Sequence, residues 1–130
     1  MAALTGRTMT RFRRAVTALQ KALMLEELPE HAERDAVLLR FELAAELMPK
    51  ALERVLTEEQ GLRPSLPKEI VRAARIAEFA TEEETLTLLA IIDDRNRMVH
   101  DYSEDFSHAL EERVRGTYAS AFTVLLEKMS

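Results

Sequence analysis

Apolar residues recur at every third or fourth position along most of this chain, and this spacing constrains the fold more than any other feature. The period matches the turn of an α-helix and not the alternation of a β-strand. The first such stretch runs from Met9 to about Leu28, and its apolar positions are Phe12, Val16, Leu19, Leu23 and Leu25. We predict an amphipathic helix here that ends before Pro29, because a proline disfavours helical backbone in the residue before it.

The same period predicts further helices along the rest of the chain. Their expected bounds are about His31 to Gly61, Pro67 to about Ala77, about Glu82 to Val99 or Asp101, and about Phe106 to Lys128. Pro49 lies inside the long second helix and should kink or break it near Leu47, because proline removes one backbone donor and clashes with the preceding turn. Thr81 and Glu84 have the spacing of a capping box, which opens the fourth of these helices.

These elements predict an all-α fold. Only 3 glycines and an aromatic content of 5% leave little material for sheets and hairpins. Four main helices and one short extra helix, joined by short loops, are typical of an up-and-down four-helix bundle. With 130 residues we expect one domain, 1–130, with a core at about residues 9–128.

Composition narrows the function. The chain has no cysteine and 3 scattered histidines, so neither a thiolate nor a histidine-pair metal site is expected, and no cofactor is implied. The net charge of −5 disfavours binding of nucleic acid through a broad basic surface, although the arginine-rich stretch from Arg7 to Arg14 could supply a local one. No long apolar run predicts a membrane span, and we expect a cytoplasmic protein.

Residues 95–102, "RNRMVHDY", place polar side chains in an unusual position. At about 100° per residue, Arg95 lies in the middle of the apolar stripe of its helix, and Tyr102 lies on the same line two turns later. Asn96 and His100 lie at the border of that stripe. An unpaired guanidinium in a core costs several kcal/mol, so Arg95 needs a carboxylate or an open cleft. Glu42 and Glu46, on one side of the second helix, are the candidate partners.

The geometry leaves two interpretations open. Arg95 could form a buried Arg–Glu bridge that fixes the helix register, or it could belong to a functional site. Arg95 and His100 point about 140° apart, so they could serve one small group only if the helix ended between them or a second copy contributed, as at a two-fold interface. Arginine, histidine, asparagine and tyrosine suit phosphate chemistry, in which arginine stabilises developing charge and histidine moves a proton. With a ribose 2′-hydroxyl as nucleophile, this would be metal-independent RNA cleavage.

At these residues the sequence resembles the HEPN superfamily, whose hallmark is an arginine, a polar residue, a short spacer and a histidine. "RNRMVHDY" is similar to the Arg-x4-His-x-Tyr motif of HepT-type toxins, the group formerly labelled nucleotidyltransferase substrate-binding proteins. "RDAVLLRFELAAEL" resembles the second-helix segment of that family, and "GLRPSLPKEIVRAARIAEF" resembles the loop and short helix that follow. The resemblance covers most of residues 10 to 128.

The resemblance implies a HEPN-like helical homodimer encoded beside a small nucleotidyltransferase antitoxin. The toxin would be a ribonuclease, silenced when the antitoxin transfers AMP to the motif tyrosine. By position, Arg95 and His100 would be catalytic, Asn96 would support the site and Tyr102 would be modified. Glu42 and Glu46 enter as supporting residues on the geometric argument and a general segment match.

The chain departs from the family pattern at one visible place, and other functions remain open. The family often has an aromatic residue and a lysine after the Glu-Leu pair of the second helix, where this chain has Met48, Pro49 and Lys50. An alternative function is a non-catalytic subunit that binds a nucleotide or substrate for a two-chain nucleotidyltransferase, with Arg95 on a phosphate. A third is a helical dimerisation domain with a structural Arg–Glu bridge.

Overall fold

Helices occupy most of the chain in the computed structural model, which describes residues 2–130, with side chains described from Gly6 onward. The α-helices are α1 (Ala2–Leu23), α2 (Ala32–Gln60), α3 (Pro67–Ile76), α4 (Glu82–Arg97), α5 (Glu104–Arg113) and α6 (Ala119–Met129). A 3-10 turn, Pro29–His31, precedes α2, and a π-helical turn, Val114–Tyr118, joins α5 to α6 in one continuous helix. The all-α fold class is therefore confirmed, with α1, α2, α4 and the α5–α6 helix as the four main helices and α3 as the short one.

Two of the predicted helix ends are formed by the expected local chemistry. Thr81 Oγ1 accepts a hydrogen bond from the Glu84 backbone N–H at 3.1 Å, and Glu84 accepts one from the Thr81 N–H at 2.9 Å, so the capping box is confirmed. Gly61 follows α2 in the left-handed region with φ 70°, and its N–H donates to the Thr57 carbonyl. Glycine adopts this conformation without a Cβ penalty, which explains the stop.

Two helices end earlier than the periodicity predicts. Helix α1 ends at Leu23 and not near Leu28, and Leu25 is 44% exposed instead of buried in the core. Helix α4 ends at Arg97, so Val99 leaves the apolar stripe and is 50% exposed. In both cases the apolar spacing continues beyond the last hydrogen-bonded turn, and spacing alone does not report where the backbone leaves the helix.

Of the two effects predicted for Pro49, a kink or a break near Leu47, the break is wrong. Helix α2 continues through Pro49 to Gln60 as one helical element. Ala45, Met48, Pro49 and Leu52 are all buried there, so tertiary packing covers the helix on both sides of the proline. We infer that this packing outweighs the lost backbone hydrogen bond, because burial of a helix face contributes more than local propensity does.

One hydrophobic cluster forms the core and includes residues from every α-helix. At its centre the Phe122 ring lies 5.9 Å from the ring of Phe12 and 6.2 Å from that of Phe41, and the Phe41 ring stacks on Tyr118 at 5.6 Å. The cluster thereby joins α1, α2 and α6. In the described part of the chain, no helix has the length and apolar content to cross a membrane.

Truncation of Phe122 tests this core. We expect Phe122→Ala to lower the free energy of unfolding by about 3–5 kcal/mol, because the fully buried ring leaves a cavity that its neighbours fill only in part. Urea denaturation followed by circular dichroism measures the change. Leu86→Ala is the matched control, since Leu86 is 64% exposed and its truncation should change stability by about 0.5 kcal/mol or less. Equal effects of the two variants would contradict the assigned core.

Candidate functional site

Arg95 lies in the last turn of α4 and is only partly satisfied by its neighbours. Its side chain is 32% exposed, and the shortest distance from its guanidinium to a carboxylate joins Nη2 to Glu46 Oε2 at 3.9 Å. Among the described residues, no group accepts a hydrogen bond from Arg95 Nε, although this atom is buried. The expected pairing with Glu46 is thus found, but it is long. A buried donor without an acceptor costs free energy. Because the side chain is partly exposed and its one carboxylate is distant, the guanidinium is available to an anionic group.

An open cavity of about 330 Å³ lies beside Arg95, and we call it the Arg95 pocket. Helices α2, α3 and α4 and the loop before α3 bound it. Its walls include Glu46, Pro49, Lys50, Ile70, Arg95 and Asn96. The volume lies in the range of small-molecule sites, and the mixture of apolar walls with a few charged groups is typical of them. Pro49 and Lys50, where the chain departs from the family pattern, therefore shape this pocket.

Helix α4 ends between Arg95 and His100. The N–H groups of His100 and Asp101 both donate to the Arg97 carbonyl, at 3.0 and 2.9 Å, and so close a turn after the helix. One of the two conditions set by the sequence for a joint Arg–His site, an end of the helix between them, is therefore met. Asn96 and His100 are both exposed, but only Asn96 lines the Arg95 pocket. Within one chain the structure brings Arg95, Asn96 and Glu46 together and leaves His100 outside this pocket.

Asp101 holds the turn that contains His100 and Tyr102. Its carboxylate accepts hydrogen bonds from the Ser103 N–H at 2.9 Å and from Arg97 at 2.8 and 3.0 Å. Hydrogen bonds from Ser103, together with Arg97, lower the pKa of Asp101 to about 2. Ser103 Oγ in turn accepts from the Phe106 N–H and caps α5. The turn is therefore fixed to the end of α4 and to the start of α5.

Tyr102 is 83% exposed on this turn. Its hydroxyl donates a hydrogen bond to the Val99 carbonyl at 3.0 Å, which directs the ring along the turn and leaves the oxygen accessible. Tyr102 borders a second cavity, the Tyr102 groove, of about 430 Å³, whose other walls include Met98, Phe106 and Glu42. Glu42 therefore lies beside Tyr102, and its expected role as a partner of Arg95 is wrong. Glu42 and Glu46 point to different cavities although they lie one turn apart.

Sequence reasoning missed the interactions of Asp94. Helical projection places Asp94 on the solvent side, but its side chain is only 14% exposed. It accepts two hydrogen bonds from Arg113 at 2.8 and 2.9 Å and one from the Tyr118 hydroxyl at 2.6 Å. Burial and the Asp94 carboxylate raise the pKa of Tyr118 to about 12. We call these three residues the Asp94 network, and it fixes α4 to the α5–α6 helix next to Arg95.

One signal in the sequence could have indicated part of this network. Tyr118 lies in the apolar stripe of the last helix, and a buried tyrosine hydroxyl usually has a hydrogen-bond partner. Nothing in the spacing identifies Asp94 as that partner, because the π-helical turn Val114–Tyr118 changes the register between Arg113 and Tyr118.

The sequence matches a known protein family. A family model described as "Nucleotidyltransferase substrate binding protein like" matches residues 7–130. No curated protein matches the sequence. Among solved structures, a crystal structure of a protein from Thermus thermophilus is similar, with 34% identity, a TM-score of 0.83 and coverage of 91% of this chain and 98% of that one.

Two solved structures share the fold at lower identity. One is a tri-AMPylated HEPN toxin from Shewanella oneidensis in complex with an MNT antitoxin, with 15% identity, a TM-score of 0.78 and coverage of 99% of this chain and 98% of that one. The other is a toxin–antitoxin complex with AMP-PNP, with 14% identity, a TM-score of 0.79 and the same coverage. At these identities the likeness shows a common fold.

Substitution of Asp101 tests how the turn is held. We expect Asp101→Asn to make hydrogen exchange of the Ser103 amide several-fold faster, because the charged acceptor is lost. In the wild type, the pKa of Asp101 in the folded protein is about 2, below its ordinary value of 3.8. The ionised carboxylate therefore stabilises the turn fully above about pH 4, and this stabilisation is lost as the pH falls through about 2. NMR-detected exchange measures both effects. Asp105→Asn is the control, since Asp105 is exposed in the first turn of α5, and equal exchange in the two variants would refute the role of Asp101.

Proposed function

The chain belongs to the nucleotidyltransferase substrate binding protein like family, and on that premise we propose that it is the HEPN toxin of a toxin–antitoxin pair. In this proposal the toxin is a metal-independent endoribonuclease, and its partner is a small nucleotidyltransferase antitoxin. One observation carries the proposal: the half-buried guanidinium of Arg95 lines an open pocket with a single carboxylate among the described residues, at 3.9 Å, as its ion-pair partner, five residues before the exposed His100. The shared fold with HEPN toxins in complex with antitoxins supports it.

In the proposed reaction, the ribose 2′-hydroxyl is the nucleophile. A histidine ring nitrogen accepts the hydroxyl proton while the oxygen attacks the adjacent phosphorus. The bond from phosphorus to the 5′-oxygen breaks, this oxygen takes up a proton, and the products are a 2′,3′-cyclic phosphate and a free 5′-hydroxyl. Arg95 stabilises the charge that develops on the phosphate oxygens. Asn96 hydrogen-bonds to the substrate at the rim, and Glu46 orients the guanidinium.

A homodimer completes the proposed site. Arg95 borders its pocket whereas His100 of the same chain lies outside it, so a two-fold axis near the end of α4 would bring His100 of one copy toward Arg95 of the other. Where the axis passes between the two copies of His100, both histidines reach one phosphodiester: one accepts the proton of the 2′-hydroxyl and the other donates a proton to the leaving oxygen. The exposed apolar side chain of Val99, next to His100, is a suitable contact for such an interface.

Control by the antitoxin is proposed to act through Tyr102. The hydroxyl oxygen attacks the α-phosphorus of ATP bound to the nucleotidyltransferase, a phosphodiester forms between tyrosine and AMP, pyrophosphate leaves, and the hydroxyl proton passes to a base of the partner. Tyr102 is exposed and lies two residues after His100, so the added AMP occupies the space through which RNA reaches the histidine. Its negative charge also repels the RNA phosphates.

Substitution of His100 tests the ribonuclease. We expect His100→Ala to reduce RNA cleavage by about 10²–10⁴-fold, because proton transfer by a positioned side chain is lost. A fluorogenic RNA assay measures the rate, with EDTA present to test metal independence. His108→Ala is the control, since this histidine lies on α5 and pairs with Glu112. Full cleavage by folded His100→Ala would refute the proposal.

Co-expression with the partner nucleotidyltransferase tests the modification. Intact mass should show one or more AMP units on the wild type and none on Tyr102→Phe. Tyr118→Phe is the matched control, because Tyr118 is the only other tyrosine and is 4% exposed, with its hydroxyl bonded to Asp94. AMP on Tyr102→Phe, or no AMP on wild type with an active partner, would contradict the assignment.

A second function is favoured by the Arg95 pocket. Its volume of about 330 Å³ suits a nucleotide, with Arg95 or Lys50 on the phosphate and the base against Pro49 and Ile70. The chain would then be a non-catalytic subunit that binds a nucleotide or substrate for a two-chain nucleotidyltransferase. Calorimetric binding of AMP by the unmodified protein, together with absence of RNA cleavage, would support this function over the ribonuclease.

A further inference from the structure

A groove lies between α1 and α2, away from the residues of the candidate site. Its volume is about 420 Å³, and we call it the basic groove. Its polar lining consists of Arg13, Arg14, Lys21 and Arg40 with the threonines Thr10 and Thr17. Among the described residues that line it, none is acidic. Four cations around one concave surface, without carboxylates to neutralise them, attract an anionic ligand.

The charge of this groove is opposite to that of the chain as a whole. Helix α1 contains five basic residues and no acidic residue, whereas the net charge of the protein is −5. The acidic residues therefore lie on the other elements. Such a separation directs a polyanion to α1 and away from the rest of the surface, since like charges repel it there.

One exposed face of α2 connects the basic groove with the Arg95 pocket. Arg40, Leu43, Glu46 and Lys50 follow one another at spacings of three and four residues, and all four are exposed. Arg40 lines the basic groove, whereas Glu46 and Lys50 line the Arg95 pocket. Ten residues of helix separate Arg40 from Lys50, a distance of roughly 15 Å, which a few nucleotides of an extended strand can bridge.

We propose that the basic groove binds the phosphodiester backbone of single-stranded RNA and leads that strand along α2 to the Arg95 pocket. Arginine guanidinium groups bind phosphate through paired hydrogen bonds, which suits Arg14 and Arg40. Arg13 adds its charge to the groove while its Nη2 donates a hydrogen bond to Ser130 Oγ at 3.0 Å. The groove runs along the seam between two helices in direct contact, whose axes lie about 8–10 Å apart, a spacing that suits a single strand better than a duplex. The inference rests on the proposed function and adds the surface on which the substrate is held.

Charge reversal inside and outside the groove tests this binding surface. The groove variant is Arg14→Glu with Arg40→Glu, and the control is Arg54→Glu with Arg72→Glu, which makes the same change in net charge at exposed positions outside the groove. Both pairs are placed in a His100→Ala background, so that binding is measured without cleavage. Fluorescence anisotropy with labelled single-stranded RNA gives the affinity over a series of salt concentrations.

We expect the groove variant to bind RNA at least about tenfold more weakly than the protein without the charge reversals. The negative slope of log affinity against log salt should become shallower by roughly 1.4, since each of the two lost phosphate contacts on a single strand contributes about 0.7. The control pair should retain the slope. Equal losses in the two pairs would overturn the proposal, because they would show a general charge effect. Unchanged affinity would also overturn it. If light scattering then showed a change in oligomeric state, the groove would be a contact between copies through Leu39 and Leu43, which are 58% and 48% exposed.

Cleavage assays with His100 restored separate this inference from the proposed function. If the wild type cuts RNA and the groove variant cuts it with the same kcat/KM, the groove assignment is wrong while the ribonuclease stands. If RNA binding depends on the groove and no cleavage occurs in the wild type, the groove assignment stands while the ribonuclease is wrong.

Discussion

The fold depends on the burial of one long helix. Helix α2 packs against α1, α3, α4, α5 and α6, and its buried side extends from Val37 to Leu56. Because the core is formed around this helix, α2 must stay helical along its whole length. Pro49 is tolerated inside it for that reason, since the buried residues on either side of the proline hold both halves in the core. The face of α2 that remains exposed carries residues of both the Arg95 pocket and the basic groove.

At the end of α4, two carboxylates are fully paired within the protein, whereas one guanidinium is not. Asp94 accepts hydrogen bonds from Arg113 and Tyr118, and Asp101 accepts them from Arg97 and Ser103, so both carboxylates are satisfied. Arg95, between them, has one distant carboxylate and a buried donor without an acceptor. The surrounding residues are thus held in place while this guanidinium is left to interact with something else. In a structural Arg–Glu bridge the donors would be paired, so the incomplete pairing of Arg95 supports its proposed place in a functional site.

The charge distribution bears on the proposed RNA-directed function, for which the acidic net charge of the chain is unfavourable. A net charge is a sum, and binding of a polyanion depends on the local potential where the strand lies. Helix α1 concentrates positive charge on one side, and the exposed face of α2 connects that side with Arg95. The sequence indicated the arginine-rich first helix as the source of such a surface. Arg40 joins it only because α1 and α2 pack side by side.

The sequence by itself determined the fold class, the number of main helices, the capping box at Thr81 and the stop at Gly61, because periodicity and capping are local properties of a few neighbouring residues. It also identified Arg95 as a polar residue in an apolar stripe and Glu46 as its neighbour. Only the tertiary structure decided that α4 ends before His100, that Glu42 faces Tyr102, that Pro49 leaves α2 unbroken and that Asp94 is held by Arg113 and Tyr118. These features depend on contacts between residues far apart in the chain and on a π-helical turn that shifts the helix register, and no local pattern encodes them.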